Sequence, residues 1–279
     1  SFPTRRSSDL NICVTEMVMR TLLADCALKL LVSSGEITVD REIFPAYIDG
    51  SLTIGVWSAL IDDIIQDKKA ALSWANNNKN LMDTNYYYQK GEDVLGLLYM
   101  SIRDAGSRKA AGSYYTPTKV VRTLISDVTG DMGSRISEGG KRLFDPCCGT
   151  GNFLIQLPDD IELNNIYACD IDELSVQLAR FNLALGRLSG RRHVNVDEAI
   201  WTIYEHIERR DFISEYRNDS ECGGDDKKLL ADPGYDIIIG NPPWGYTFDR
   251  ETRTLLRKAY RTAAGGGVEI GRASCRERV

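Results

Sequence analysis

Long apolar runs are missing from this chain of 279 residues. No run approaches the ~20 consecutive residues that cross a bilayer, and no secretory signal is visible near the N-terminus. The sequence therefore predicts a cytosolic protein that has no membrane partner.

Metal-binding patterns are also missing. The seven cysteines show no paired spacing of the kind that zinc sites use, so we expect free thiols and no metal site. Only two histidines are present, His193 and His206, and neither lies near the motifs described below. We interpret both as surface or loop residues rather than as catalytic bases.

The two ends of the chain do not resemble protein sequence. SFPTRRSSDL (1–10) can be encoded by TCT TTC CCT ACA CGA CGC TCT TCC GAT CT, which resembles a sequencing adapter, and EIGRASCRERV (269–279) carries its reverse complement. The alternative is that the arginines of both ends form basic tails that bind DNA. Because one oligonucleotide explains both ends, we expect them to be adapter-derived and residues 11–268 to be a piece of a longer gene.

The chain is acidic once these ends are set aside. They contain five arginines and three acidic residues, so the net charge of −6 becomes about −8. Duplex binding depends on Lys and Arg side chains that neutralise phosphates. A large phosphate-binding surface is therefore expected outside this part of the protein.

Residues 11–110 are predicted to form a helical region, because apolar residues recur there at helical spacing. We interpret Gly50 and the polar run 76–80 as loops between the helices. The three tyrosines at 86–88 are typical of partly buried aromatic residues in a helical region, and base stacking is the alternative.

Residues 111–268 show a different pattern, in which short apolar runs alternate with amphipathic stretches. This alternation is typical of βαβ units and predicts an α/β domain with a parallel sheet. Strands are predicted at 142–144, 165–169, about 207–210 and 235–239. Helices are predicted at 118–128, 152–157 and 173–185, and a loop at 215–230.

A glycine turn follows the first of these strands, in the stretch Asp145-Pro146-Cys147-Cys148-Gly149-Thr150-Gly151-Asn152-Phe153. Gly149 and Gly151 allow the backbone to approach a ligand closely, and the start of the next helix offers free N–H groups. Such a turn is structural about as often as it is functional, and its spacing differs from the GxGxxG dinucleotide fingerprint. Alone, it indicates only a candidate ligand loop.

A carboxylate pair ends the second predicted strand. Asp170 follows the glycine turn by about 20 residues, where a carboxylate can accept both hydroxyls of a ribose. Asp172 suits the alternative role of N-cap, because it directly precedes the helix predicted from Glu173. We therefore interpret Asp170 as a ribose ligand and Ile171 as a surface on which the adenine ring of the same cofactor packs.

The most specific motif is Asn241-Pro242-Pro243-Trp244, which follows the apolar run 235–239. The proline pair ends the strand and fixes the direction of the Asn241 amide and the Pro242 carbonyl. Their two oxygens can accept both hydrogens of one planar NH₂ group, and Trp244 offers a face on which a flipped base can stack. A purely structural turn is the alternative.

Together these motifs resemble the amino-methyltransferases, and specifically the adenine-N6 DNA methyltransferases of restriction-modification and related phage-defence systems. Residues 145–153 resemble the family's DPxCGxGxF cofactor loop, and residues 241–244 resemble its NPP-aromatic catalytic motif. Two weaker matches are the YTP element at 115–117, which Tyr114 precedes, and the DF pair at 211–212. The helical region before them is similar to that of type I modification subunits and fused restriction-modification enzymes.

The resemblance implies a Rossmann-like, doubly wound methyltransferase sheet that is incomplete at its C-terminal end and follows an α-helical region. It implies S-adenosylmethionine as cofactor, held by Tyr115, Thr116, Pro117, Asp145, Cys147, Gly149, Gly151, Asp170, Ile171, Asp211 and Phe212. It implies catalytic roles for Asn241, Pro242, Pro243 and Trp244. It also implies DNA with a flipped adenine as substrate, and specificity or restriction subunits as further partners.

The implied reaction transfers a methyl group from a sulfonium to the N6 amine of adenine. Hydrogen bonds from the amine to Asn241 and to the Pro242 carbonyl favour a pyramidal nitrogen, so no strong base is needed. Methylation of a protein glutamine amide is one alternative, against which the YTP element and its helical preface argue. A non-catalytic nucleotide-binding subunit of the same fold is another, against which the intact NPPW motif argues.

Overall fold

A computed structural model describes residues 7–103, 115–130, 140–191, 195–212, 234–243, 250 and 253–254. Within these ranges a helical region precedes a small parallel sheet with helices packed against it. No helix in this part of the chain combines the length and the apolar character that crossing a membrane requires.

The first described stretch, 7–103, is helical, as the sequence predicts. Helix α1 begins at Ser7, inside the segment expected to be adapter-derived. The helices of this stretch are α1 (Ser7–Ser33), α2 (Ile43–Ile48), α3 (Trp57–Ile65), α4 (Lys68–Asn77), α5 (Lys79–Met82) and α6 (Val94–Ile102).

The predicted loop at 76–80 is wrong. Asn77 ends α4 and Lys79 begins α5, so only Asn78 lies between the two helices. The side-chain amides of Asn77 and Asn78 each donate to the backbone carbonyl four residues earlier, at 2.8 Å. Trp74 lies in the last turn of α4, where carbonyl groups need partners from outside the helix, and the Asn78 amide supplies one.

The tyrosines at 86–88 lie in a segment without regular secondary structure between α5 and α6. Tyr86 and Tyr88 are partly buried and pack against the hydrophobic core, whereas Tyr87 is 72% exposed. Two of the three side chains therefore agree with the interpretation as partly buried aromatic residues.

Four parallel strands form one sheet in the order β3-β2-β1-β4. From β1 the chain moves outward to β3 and then returns to the other side of β1, which is the expected doubly wound arrangement. All four predicted strands are confirmed, with shifts of one or two residues at some ends. Their bounds are β1 (Leu143–Asp145), β2 (Ile166–Asp170), β3 (Ile207–Arg209) and β4 (Ile237–Ile238).

The helices around the sheet agree only in part with the prediction. The expected helix at 152–157 is wrong, because the structure has a single 3₁₀ turn there, Leu154–Gln156. Pro158 restricts Leu157 to extended backbone, so a helix cannot continue through it. The remaining helices are α7 (Thr118–Gly130), α8 (Glu173–Leu188) and α9 (Val196–His206), of which α9 was not predicted.

The helical region and the sheet share one continuous hydrophobic core. Helices α1, α3 and α6 pack on or near α8, which in turn covers β2 and β3. The ring of Trp57 in α3 lies 6.2 Å from that of Phe181 in α8. The buried Arg20 of α1 donates to Gln177 of α8 at 2.8 Å and to the Ile64 carbonyl at 3.2 Å. The burial of apolar side chains in this shared core holds the helices against the sheet through the hydrophobic effect.

Aromatic side chains occupy the opposite face of the sheet. Phe144 stacks on Tyr235 at 4.4 Å, and Tyr167 stacks on His206 at 4.0 Å. The Arg142 guanidinium lies 4.5 Å from the centre of the Tyr167 ring. His206 is therefore not a loop residue, since it ends α9 and packs on β2, although it stays partly exposed at the surface. His193 and the predicted loop 215–230 lie outside the described residues.

A buried carboxylate joins α6 to the glycine turn. Asp93 caps α6 by accepting the Gly96 N–H at 2.7 Å, and it accepts the Thr150 hydroxyl at 2.6 Å and the Asn182 amide at 2.7 Å. Burial raises the pKa of Asp93 to about 6. A side chain at position 96 would overlap the carboxylate of Asp93 and the hydroxyl of Thr150.

Two helical glycines should therefore respond in opposite directions to the same substitution. We expect Gly96→Ala to lower the free energy of unfolding by roughly 1–3 kcal/mol, because the new methyl group overlaps a buried network. Gly186→Ala in α8 meets no atom closer than 3.9 Å and should raise it by about 0.5–1 kcal/mol through helix propensity. Urea unfolding of both variants tests this expectation, and equal midpoints would contradict it.

Candidate active site

The candidate site lies where the strand order reverses. Strand β1 has β2 on one side and β4 on the other, and open α/β sheets bind ligands beyond the carboxyl ends of the strands at such a switch point. The residues at these ends are Asp145, which ends β1, Asp170, which ends β2, and Gly240, which lies two residues after β4. Three predicted motifs thus begin at one edge of the sheet.

The glycine turn is fixed to the end of β2 by its backbone. The Cys148 N–H donates to the Cys169 carbonyl at 3.0 Å, and the Gly149 N–H donates to Asp170 Oδ2 at 2.9 Å. Gly149 and Gly151 have φ values of 53° and 86°, which favour glycine. A Cβ at Gly151 would lie 3.1 Å from the Ala179 backbone of α8, whereas one at Gly149 would meet open space. Gly151 therefore serves close packing, and Gly149 borders the open side of the turn.

Asp145 is a buried carboxylate with one unused oxygen. Its Oδ1 accepts the Cys147 N–H at 3.1 Å, and its Oδ2 has no hydrogen-bond partner among the described residues. Burial, together with the charge of Asp170, raises the pKa of Asp145 to about 8. Gly240 packs directly against this carboxylate, so that any side chain at position 240 would overlap it.

Asp170 lies at the end of β2, between the glycine turn and α8. Its Oδ1 accepts the Asp172 N–H at 2.9 Å, and burial raises its pKa. Ile171 is 64% exposed and offers an apolar face beside it. The N-cap role predicted for Asp172 is confirmed, because Asp172 accepts the Ser175 N–H at the start of α8.

The pair Asp211-Phe212 follows β3 at the same edge. The Arg210 N–H donates to the Asp170 carbonyl at 2.9 Å, which places Asp211 one residue beyond this link. The Phe212 ring lies 5.1 Å from the Phe144 ring, tilted by 57°, and is 37% exposed. The structure thus brings the pair to the candidate site, with the phenylalanine ring against the aromatic face of the sheet.

The YTP element meets both other motifs. Asn152 of the glycine turn donates its amide to the Thr116 carbonyl at 2.7 Å, and Asn241 donates its amide to the Thr116 hydroxyl at 3.0 Å. The Tyr115 hydroxyl lies 3.3 Å from that of Thr118, and Pro117 leads directly into α7. Pro242 and Pro243 are partly buried and follow β4 without regular structure. Trp244 and Tyr114 lie outside the described residues.

Three residues of this site make contacts that their local sequence does not predict. Asp93 precedes an apolar run, which signals an N-cap, but nothing in the local sequence shows that it reaches Thr150. Asn152 belongs to the glycine motif, and its bond to Thr116 spans 36 residues. Gly240 precedes the NPP motif, and its contact with Asp145 depends on the pairing of β1 with β4. These roles depend on tertiary contacts, which is why motif reading missed them.

The described cysteines and acidic residues do not suggest a metal centre. Within the described ranges no group of three or more His, Cys, Asp and Glu side chains is arranged to hold an ion. Cys26, Cys147, Cys148 and Cys169 carry free thiols. Burial raises the pKa of Cys147, which keeps this thiol beside Asp145 neutral.

The buried carboxyl of Asp145 should give this chain a pH-dependent stability. Because its pKa is raised from 3.8 to about 8, the folded state binds this proton more tightly than the unfolded state does. The resulting stabilisation is complete below about pH 4 and is lost as the pH rises through 8.

Asp145→Asn replaces the titrating carboxyl with a group that does not titrate. The wild type loses stability between pH 5 and 8, so the variant should gain stability relative to it over this range. The gain should reach at most about 1.4 kcal/mol for each pH unit. Chemical unfolding at several pH values measures it. The pKa values of Asp25, Asp93 and Asp170 are also raised, but both proteins contain these carboxyls. Parallel curves for the two proteins would show that Asp145 is already ionised.

Comparison with known proteins identifies relatives of this chain. The Type II methyltransferase M.VspI of Vibrio sp. (strain 343) is 26% identical over 226 residues, covering 81% of this chain and 47% of that protein. The adenine-specific methyltransferase PglX of Streptomyces coelicolor is 24% identical, covering 63% of this chain and 18% of PglX. The Type I restriction enzyme EcoEI methylase subunit of Escherichia coli is 25% identical, covering 60% of this chain and 31% of that subunit.

The chain thus spans less than half the length of each of these relatives. The family model described as N-6 DNA Methylase matches residues 90–268. This match covers more than half of the chain, including the glycine turn, Asp170 and the NPP motif. The chain belongs to the N-6 DNA Methylase family.

Proposed function

We propose that the protein containing this chain transfers a methyl group from S-adenosylmethionine to the N6 amine of adenine in DNA. The observation that carries the proposal is the junction at Thr116, where the glycine turn and the NPP motif meet through two hydrogen bonds. The proposed cofactor loop and the amide proposed to bind the amine are both hydrogen-bonded to Thr116, and methyl transfer requires that such groups be close together. Membership of the N-6 DNA Methylase family supports the same reaction.

The groups around the glycine turn fit S-adenosylmethionine. The Oδ2 of Asp145, which finds no partner within the described ranges, suits a cationic ammonium group, since a buried carboxylate needs a charge or a donor beside it. Asp170 still has lone pairs with which to accept ribose hydroxyls, and the exposed Ile171 can cover an adenine ring. We assign the further contacts of the cofactor to Gly149, the 115–117 segment, Asp211 and Phe212.

When bound, S-adenosylmethionine supplies an electrophilic methyl group on its sulfonium. The chain's own task is to orient the adenine amine, whose lone pair is delocalised into the ring. Asn241 Oδ1 and the Pro242 carbonyl can accept the two amine hydrogens and favour a pyramidal nitrogen. Trp244 is proposed to stack on the base, a contact worth ~1 to 3 kcal/mol.

The DNA must deliver its base outside the duplex, because the N6 amine is enclosed by pairing and stacking. The net charge of −6 does not attract a duplex. We therefore propose that phosphate contacts and sequence recognition come from other parts of the protein or from partner subunits. One relative is itself named as the methylase subunit of a restriction enzyme, which supports a specificity or restriction subunit as the partner.

Loss of the Asp170 carboxylate should weaken cofactor binding. We expect Asp170→Ala to reduce the affinity for S-adenosylmethionine by ~1 to 3 kcal/mol, because charge-assisted hydrogen bonds to the ribose are lost. Asp40→Ala is the matched control, since this exposed carboxylate pairs only with its neighbour Arg41 in the described structure. Calorimetric titration measures the affinity of both variants, and equal affinities would show that Asp170 does not bind the ribose.

Loss of the Asn241 amide should separate chemistry from cofactor binding. In the product of the longest open reading frame that contains this sequence, Asn241→Ala should abolish methyl transfer and change cofactor affinity by only a few fold. The amide acts on the amine rather than on the sulfonium, and Asn80→Ala on the exposed face of α5 serves as control.

Mass spectrometry of the substrate identifies the product. N6-methyladenine in DNA is expected. Finding only 4-methylcytosine or methylglutamine would replace the proposal with the corresponding alternative, and cofactor binding with no transfer would favour a non-catalytic subunit.

A further inference from the structure

Thr116 makes a contact that its resemblance to the YTP element does not explain. The resemblance assigns this residue to the cofactor, yet its hydroxyl accepts a hydrogen bond from the Asn241 side chain at 3.0 Å. The two residues are 125 positions apart in the chain, so only the fold brings them together. The bond reaches the amide that is proposed to bind the target amine.

Thr116 is itself held in place on two sides. Its carbonyl accepts the Asn152 amide at 2.7 Å, and Asn152 is a buried residue of the glycine turn. Pro117 restricts the backbone of Thr116 to extended conformations. The hydroxyl of Thr116 is therefore a fixed point, and its position depends on the glycine turn.

The direction of the bond matters for chemistry. A side-chain amide presents an acceptor oxygen on one end and two N–H donors on the other. With Nδ2 facing Thr116, the oxygen of Asn241 faces away from it. An amide turned the other way would place donors against the hydrogens of an incoming amine, which also donates.

We propose that Thr116 is a positioning residue for Asn241 and that Asn152 holds Thr116 in place for this purpose. The inference rests on the proposed function and deepens it. The glycine turn and the amine-binding amide are then aligned by the same pair of hydrogen bonds, Asn152 to Thr116 and Asn241 to Thr116. Thr116 acts through Asn241 rather than on the substrate.

Three variants of the longest gene product test the role. Thr116→Val keeps the shape but removes the acceptor, and it should lower kcat about 10- to 100-fold, the size of effect that a small misplacement produces. Its dissociation constant for S-adenosylmethionine should change by a clearly smaller factor than kcat does, because the hydroxyl that is removed contacts Asn241. Thr116→Ser keeps the hydroxyl and should retain most of kcat. Thr123→Val is the control, since this exposed hydroxyl donates to Lys119 within α7.

The outcomes separate the inference from the function on which it rests. Unchanged kcat in Thr116→Val, or a weakened cofactor affinity that accounts for the whole loss, would overturn the positioning role alone. A wild type that does not methylate adenine would overturn the proposed function and the inference with it.

A second measurement on this chain does not need activity. If the bond exists, the urea midpoints of Thr116→Val, Asn241→Ala and the double variant should not be additive, because each single change already breaks the bond. The double variant should lose less than the sum of the single losses. Strict additivity would show that the two side chains do not interact, and it would overturn the proposal.

Discussion

The pairing of β1 with both β2 and β4 is the constraint on which the rest of the site depends. Parallel strands align their carboxyl ends at one edge of a sheet. With β1 in the middle, Asp145 lies beside Asp170 on one side and beside Gly240 on the other. Only a glycine at position 240 allows the backbone that leads to Asn241 to approach the buried carboxylate of Asp145. The residues proposed to bind the cofactor and those proposed to bind the amine are neighbours because of this packing, and not because of their order in the sequence.

The helical region also holds the groups at this edge of the sheet in place. Asp93 at the start of α6 holds Thr150 in the glycine turn and Asn182 in α8, so one carboxylate connects three elements. The Tyr99 hydroxyl of α6 donates to Asp172 at 2.5 Å, beside the ribose-binding position proposed for Asp170. A buried carboxylate that receives several donors is stable only while all of them stay in place. The turn is therefore held by α6 as well as by the sheet.

Much of the fold could be predicted because apolar runs and turn residues carry local information. Strand β2, for example, coincides with the apolar run 166–169, and Pro242 and Pro243 follow the end of β4. Local information failed where a side chain satisfied the backbone in an unexpected way, as Asn77 and Asn78 do at the end of α4. It also did not reveal the packing of His206 on Tyr167, which requires the sheet to be assembled first.

The candidate site was predictable to a similar degree. Glycine, proline and acidic residues at strand ends identified the motifs, since few other residue types tolerate those conformations. The links between the motifs were not predictable, because the bond from Asn241 to Thr116 depends on the relative placement of β4 and α7. The role of a residue that acts through another side chain cannot be predicted from a sequence motif and requires the three-dimensional structure.

We propose that the glycine turn, the end of β2 and the YTP element form one cofactor site. Hydrogen exchange of this chain with and without S-adenosylmethionine tests this proposal. We expect slower exchange in peptides that contain 145–153, 166–172 and 115–118, and no change in peptides from α2 and α3. Protection of the helical region in place of these segments, or no protection at saturating cofactor, would contradict it.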